Sequence, residues 1–326
     1  MAGSTPDATA KAGFTASEWA GDAGRRWLAS VDTLERALMP IGEAFIAHAG
    51  FVDGEQVVDI GCGGGWTTQQ IASIVGEEGH VAGLDISAEL VALARERADA
   101  AGVPNIWFEV GDAAVVKPAG APFDRLFSRF GTMFFPDPYA AFANLRHMLA
   151  DDGRLDIAVW DAASENRWFT AIMEVVARHV ELPPPVPRTP GQFALGDPDY
   201  VRDILAEDGF AAPRITAWEE DYHIGGPGRR PDEAAAFVLE AMHVGTLVEE
   251  CDSGTQDAVR RDLTALFAEH ETSGGVALPA KVLFITADAA EQEPTGRSNT
   301  DSKSKLGVRY EDPQPSISPG GARHEP

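Results

Sequence analysis

The feature that most restricts this chain is a short run in which a strand pattern turns through glycines into a helix pattern. Gln56 to Ile60 is rich in β-branched residues, as a central parallel strand requires, and Thr67 to Val75 carries the apolar spacing of a helix. Between them stand Gly61, Cys62, Gly63, Gly64 and Gly65. Glycine supplies positive φ in tight turns, and its missing Cβ lets a ligand approach the backbone. The spacing selects among ligands. A dinucleotide fingerprint, G-x-G-x-x-G, needs glycine at position 66, where this chain has Trp66, so a pyrophosphate fits poorly and a dehydrogenase is disfavoured. Asp59, two residues before the first glycine, sets an acceptor at the strand end and suits a cationic ligand.

Two further strand ends carry polar groups in register. Val81 to Ile86 reads as the second strand, and Asp85 at its carboxyl end lies 24 residues beyond Gly61. That is near the roughly 20-residue distance expected of an acid that accepts hydrogen bonds from ribose hydroxyls. Ile106 to Ala113 reads as a third strand ending in Gly111-Asp112. The run Asp59-x-Gly61-x-Gly63-x-Gly65 resembles the first motif of the class I S-adenosylmethionine-dependent methyltransferases. The resemblance implies S-adenosyl-L-methionine as cofactor. It also implies an α/β, Rossmann-like fold: a seven-stranded, mostly parallel sheet with helices on both faces. Asp112 matches the acid that receives the adenine amino group. Cofactor contacts are expected from Asp59, Gly61, Cys62, Gly63, Gly65, Asp85, Ile86, Gly111, Asp112, Ala113, Ser128 and Arg129.

Upstream, Trp27, Val31, Leu34 and Leu38 form one apolar helical stripe, and Pro40 is expected to break it before a second helix from about Ile41 to His48. In the family such leading helices often close over the cofactor. Arg25, Arg26 and Trp27 are the candidates for its carboxylate and methionine end. Downstream, Phe123 to Phe130 reads as the fourth strand, followed by an apolar lip of Phe130, Met133, Phe134 and Phe135, with Arg129 as an anchor for an anionic substrate. The Asn/Asp-Pro-Pro-Tyr/Phe block of nucleobase and glutamine N-methylating enzymes is absent here. Instead, Ser128-Arg129-Phe130-Gly131, Phe134-Phe135-x-Asp137-Pro138 and Glu165-Asn166-x-Trp168 resemble a bacterial branch of small-molecule methyltransferases related to those of quinone biosynthesis.

A fifth strand is expected over Arg154 to Trp160 after a turn at Asp151 to Gly153, and a sixth over Arg214 to Ile224. Ala280 to Thr286 is the expected final strand, with amphipathic helices over Pro231 to Glu250 and Gln256 to Glu271 inserted as a lid. The expected organisation is thus a disordered start (1–14), a helical cap (15–50), a cofactor-binding core (51–162), the rest of the domain with its lid (163–289) and a disordered tail (290–326), with a stiff connector at Pro183-Pro184-Pro185.

Charge narrows the partners. A net charge of −25, from 26 basic and 51 acidic residues, disfavours nucleic acid, whose binding depends on clustered Lys and Arg. No run of apolar residues is long enough to span a membrane, and two cysteines, Cys62 and Cys251, fit a reducing, cytoplasmic setting. No His, Cys or carboxylate cluster has metal-ligand spacing. The pattern carries no signal for an oligomeric state.

The chemistry expected is methyl transfer to oxygen or carbon of a small, apolar or aromatic metabolite. A histidine would activate the acceptor, and His147, His223 and His243 are the candidates, between which the sequence does not choose. The alternatives are a small-molecule N-methyltransferase, a protein methyltransferase, or a non-catalytic protein that binds the cofactor.

Overall fold

A computed structural model describes residues 16–290 apart from 183 and 185. The expectations for residues 1–14, for 291–326 and for the proline connector at 183 and 185 lie outside those residues. Three helices lead: α1 (Ala16–Trp19), α2 (Asp22–Ala29) and α3 (Val31–Ala49). Then follow β1 (Gln56–Ile60), α4 (Trp66–Val75), β2 (His80–Asp85), α5 (Ala88–Ala101), β3 (Ile106–Val110), β4 (Phe123–Arg129), α6 (Pro138–Met148) and β5 (Leu149–Trp160). The remainder comprises α7 (Arg167–Val176), α8 (Pro198–Glu207), β6 (Arg214–His223), α9 (Pro231–Ala241), α10 (His243–Glu249), α11 (Ser253–Glu269), β7 (Glu271–Thr272) and β8 (Gly275–Asp288).

The sheet runs β3-β2-β1-β4-β5-β8-β6. Only β8 is reversed along this path: it is antiparallel to β5 and to β6, so β6 again runs with the parallel set. The carboxyl ends of β1 to β6 therefore share one edge. The strand order changes direction between β1 and β4, which is where an open α/β sheet leaves its ligand crevice. β6 and β8 continue past that edge. Trp160, the last residue of β5, is level with Val282 and Trp218, yet β6 and β8 stay paired as far as His223 and Ala277. Those five extra residues add about 17 Å of paired strand, which bends back toward the sheet end, since Tyr222 meets Trp160 at 5.7 Å.

Four expectations are corrected. Pro40 lies inside one continuous helix, α3. An interior proline costs about 3 kcal/mol. Leu38, Ile41 and Phe45 are all buried on the same helix, each worth about 1.5–3 kcal/mol, and Phe45 stacks on Phe127 of β4 at 4.5 Å. Together they outweigh the proline. The expected turn at Asp151 to Gly153 lies within β5, which starts at Leu149, and pairing with β4 is irregular between Phe123 and Arg125. The single helix expected from Pro231 to Glu250 is two, parted at the extended Met242, where a Cβ on Gly245 would meet the Leu239 carbonyl at 2.0 Å. Finally, β8 begins at Gly275 because the overhanging pair lengthens it.

Toward the amino edge a buried ionic cluster fixes α3 to the sheet. Arg125 donates to Asp156 Oδ2 at 2.8 Å, to Glu55 Oε1 at 2.9 Å and to the Ala49 carbonyl at 2.6 Å, while Thr286 donates to Asp156 Oδ1 at 2.8 Å.

Candidate functional site

β1 delivers the glycine turn to the middle of the carboxyl edge. Gly61, Gly63 and Gly65 have φ of +70°, +54° and +81°, where a side chain is strained. Two of them are also packing requirements. A Cβ on Gly61 would lie 2.8 Å from the Gly131 Cα, and one on Gly65 2.9 Å from the Ala94 Cβ. Gly63 is open: the nearest atom is the Trp27 Nε1, at 3.9 Å.

Asp59 is buried, and its Oδ2 accepts from the hydroxyls of Thr67 and Thr68, both at 2.7 Å. These bonds fasten the first turn of α4 to β1. Burial raises the Asp59 pKa, opposed by the two threonines and by Arg129. Asp85 stands at the end of β2, partly exposed. Its Oδ2 accepts from the Gly63 N–H at 2.8 Å and its Oδ1 from the Ser87 N–H at 2.9 Å. Burial raises its pKa too, and those same backbone donors oppose the rise. A carboxylate has about four acceptor positions, so Asp85 has capacity for two more donors. Ile86 follows it, half-buried. The Gly111 N–H donates to the Asp85 carbonyl at 2.9 Å and draws the end of β3 to that of β2. Asp112 Oδ1 accepts from the Ala114 N–H at 2.9 Å, with Ala113 buried beside it.

The other candidates serve the frame. Cys62 packs with Val91, Ala94 and Phe108, and burial pushes its thiol well above the usual range. Ser128 Oγ donates to the Ile60 carbonyl at 2.8 Å, which clamps β4 to β1. Arg129 donates to the Leu38 carbonyl at 3.3 Å and lies over the Trp66 ring at 5.5 Å. Burial lowers its pKa, opposed by Asp59 and Glu35.

Phe130 is a non-glycine residue at φ +65°, a conformation that costs about 1–2 kcal/mol. Its ring stacks on Trp160 at 4.8 Å with 9° between planes. Trp160 in turn meets Trp168 at 5.0 Å and Tyr222 at 5.7 Å. This cluster stands where β4 and β5 reach the carboxyl edge, joined by Trp168 of α7 and by Tyr222 of the overhanging β6. The expected lip divides: Phe130, Met133 and Phe135 are buried in the core, whereas Phe134 meets Trp19 at 5.0 Å, and Trp19 meets Trp27 at 5.6 Å. Trp27 thus joins an aromatic roof over the glycine turn.

Arg25 and Arg26 have other partners. Arg25 pairs with Asp22, and Arg26 with Glu249 of α10 at 3.2 Å. Sequence reasoning missed Arg97 of α5, which holds the cap to the turn. It donates to Glu35 at 2.8 Å, to Asp32 at 2.7 Å and to the Gly64 carbonyl at 3.1 Å. Nor did it find Thr67 and Thr68, although their spacing from Asp59 was a legible signal. The three histidines are scattered. His147 is exposed one residue before α6 ends, beside the start of β5 and so at the edge opposite the turn. His223 closes β6 at the tip of the overhang, on the face opposite buried Tyr222, and His243 opens α10. Among the described residues no group of three metal-ligating side chains occurs, and no helix is long and apolar enough to cross a membrane.

Over 245 residues the chain is 30% identical to nocamycin O-methyltransferase of Saccharothrix syringae, a match that covers 72% of this chain and 85% of that protein. The chain belongs to the S-adenosylmethionine-dependent methyltransferases. S-adenosylmethionine is accordingly its cofactor. A profile described as a methyltransferase domain matches residues 51–209 of this methyltransferase. It is also 34% identical over 116 residues to the aklanonic acid methyltransferase DauC of Streptomyces sp. (strain C5). That stretch is 36% of this chain and spans about half, 53%, of the relative. The fold is similar to that of a putative methyltransferase from Bacillus halodurans C-125, with a TM-score of 0.50 at 16% identity, over 76% of this chain and 98% of that one.

Proposed function

We propose that this methyltransferase transfers a methyl group to an oxygen or carbon of a small, planar, apolar or aromatic metabolite. The observation that carries the reading is the aromatic cluster of Phe130, Trp160, Trp168 and Tyr222, all buried, which would wall an apolar acceptor site near the glycine turn, with Phe130 held there in a strained backbone. The name of the Saccharothrix relative speaks for oxygen as the acceptor atom.

The residues present fit the cofactor. Asp85 has acceptor capacity for both ribose hydroxyls, and Asp112 stands at the next strand end for the adenine amino group. The open Gly63, facing Trp27, admits the methionine end. When bound, S-adenosylmethionine supplies a methyl group on a positively charged sulfur that leaves as a neutral thioether. The protein's part is alignment and exclusion of water, and good alignment alone is worth about 7–11 kcal/mol. The roof of Trp19, Trp27 and Phe134 provides the exclusion.

Isothermal titration with S-adenosylmethionine and, separately, NADH tests the cofactor reading, with binding of the first alone expected. A mass-spectrometric screen of phenols, quinols and aromatic acids for the gain of one methyl group then tests the acceptor class. Methylation confined to amines or proteins would refute it.

A further inference from the structure

Buried polar side chains almost always find a hydrogen-bond partner, so those that do not point to something the protein expects to receive. Among the described residues, Thr132 Oγ1 and Gln192 Nε2 are buried and without one. They lie 60 residues apart in sequence yet next to each other in the fold, because the Gly191 N–H donates to the Met133 carbonyl at 3.0 Å. Each unspent group is thus one residue from the same backbone bond.

The place is informative. Thr132 follows Gly131, whose Cα would be 2.8 Å from a Cβ on Gly61, so its backbone abuts the cofactor turn. On its other side, Thr132 is two residues from Phe130, which stacks on Trp160. Gln192 precedes Phe193, whose ring meets Trp168 of the same aromatic cluster at 6.4 Å. Two hydrogen-bond donors with nothing to donate to therefore border both the turn and the aromatic cluster.

We propose that Thr132 and Gln192 form the polar end of the methyl-acceptor site and receive adjacent oxygens of a planar ring, as in an aromatic or enolic compound with a carboxylate or carbonyl beside its hydroxyl. The Nε2 amide of Gln192 donates and the hydroxyl of Thr132 can donate beside it, so the pair matches two adjacent oxygen acceptors. The aromatic cluster takes the ring and the donor pair sets its orientation toward the turn. The two residues are positioning residues, and the assignment rests on the methyltransferase reading above.

The test uses the full chain, with S-adenosylhomocysteine to fill the cofactor site and 1-hydroxy-2-naphthoate as the probe. Thr132→Val and Gln192→Leu each remove a donor while keeping bulk. Loss of an unsatisfied buried polar group is neutral or stabilising to a fold, so both variants should melt at or above the wild-type temperature. By calorimetry the wild type is expected to bind the naphthoate, each variant at least tenfold more weakly, and S-adenosylhomocysteine within twofold of wild type throughout. Unaltered naphthoate affinity in both variants overturns the proposal, as does a melting temperature lowered by several degrees, which would make the pair structural. If the wild type binds S-adenosylhomocysteine but not the naphthoate, the acceptor class is wrong. If it binds neither, the failure lies with the cofactor reading instead.

Discussion

Gly63 and Gly65 both occupy the left-handed region, yet alanine at the two positions should have opposite signatures. At φ +54° an alanine at 63 costs about 1–2 kcal/mol in backbone strain, and its Cβ meets nothing closer than the Trp27 Nε1 at 3.9 Å. Taking about 2–4 °C per kcal/mol for a domain of this size, Gly63→Ala should melt only a few degrees below wild type. Gly65→Ala carries the same strain, but its Cβ is forced to 2.9 Å from Ala94 and 3.1 Å from Phe108. Overpacking of this kind adds about 1–3 kcal/mol, so the thermal loss should roughly double. Binding should rank the other way per folded molecule. The methyl on residue 63 enters the space between the turn and Trp27 where the cofactor's methionine end is proposed to lie, and affinity should fall at least tenfold, equivalent to about 1.4 kcal/mol. Thermal melts and calorimetric titration with S-adenosylmethionine measure both quantities on the same preparations. Wild-type affinity in Gly63→Ala would refute the placement of the cofactor, and equal thermal losses in the two variants would refute the packing argument.

Asp85→Ala should weaken S-adenosylmethionine at least tenfold by calorimetry, since it loses both the proposed ribose acceptor and the bond that tethers the Gly63 N–H. Asp156→Ala leaves the buried Arg125 without its principal partner, which costs about 3–5 kcal/mol. Its melting temperature should drop by about 10 °C, while affinity for the cofactor, proposed to bind at the other edge of the sheet, should stay unchanged. Asp208 ends α8 with a buried, unpartnered Oδ2, and burial together with Glu207 and Asp137 pushes its pKa up to about 6. A helix carboxyl end disfavours an anion as well. Because the folded pKa is raised, the fold loses stability as pH climbs from about 4 through 6. Asp208→Asn should therefore raise the melting temperature at pH 7–8 and make no difference below pH 4, in melts run across that range.

What the chain discloses before folding is what neighbouring residues decide. Strand ends at Asp59, Asp85 and Asp112 were legible because a β-branched run, a glycine and an acid follow one another within a few positions. Pro40 misled, since its local cost is written in the sequence and the burial of Leu38, Ile41 and Phe45 is not. Arg97 shows the general reason for the misses: its partners Asp32 and Glu35 lie 65 and 62 residues away, and only the packing of α3 against α5 introduces them. Thr132 and Gln192 were hidden for the same reason. The histidines illustrate the converse, because residue type alone nominated His147, and topology sets it at the sheet edge opposite the glycine turn.

The overhang of β6 and β8 divides responsibilities within the molecule. α9, α10 and α11 are all spliced between those two strands, so they hang from the projecting pair, whereas the glycine turn and the proposed cofactor acids belong to the sheet proper. Exchange of residues 224–274 between relatives would have to preserve their ties to the rest of the molecule: Glu249 with Arg26, Arg229 with Thr33 and Asp262 with His179. Such chimaeras would keep the proposed cofactor acids and the Thr132 and Gln192 pair of one parent together with the inserted helices of the other.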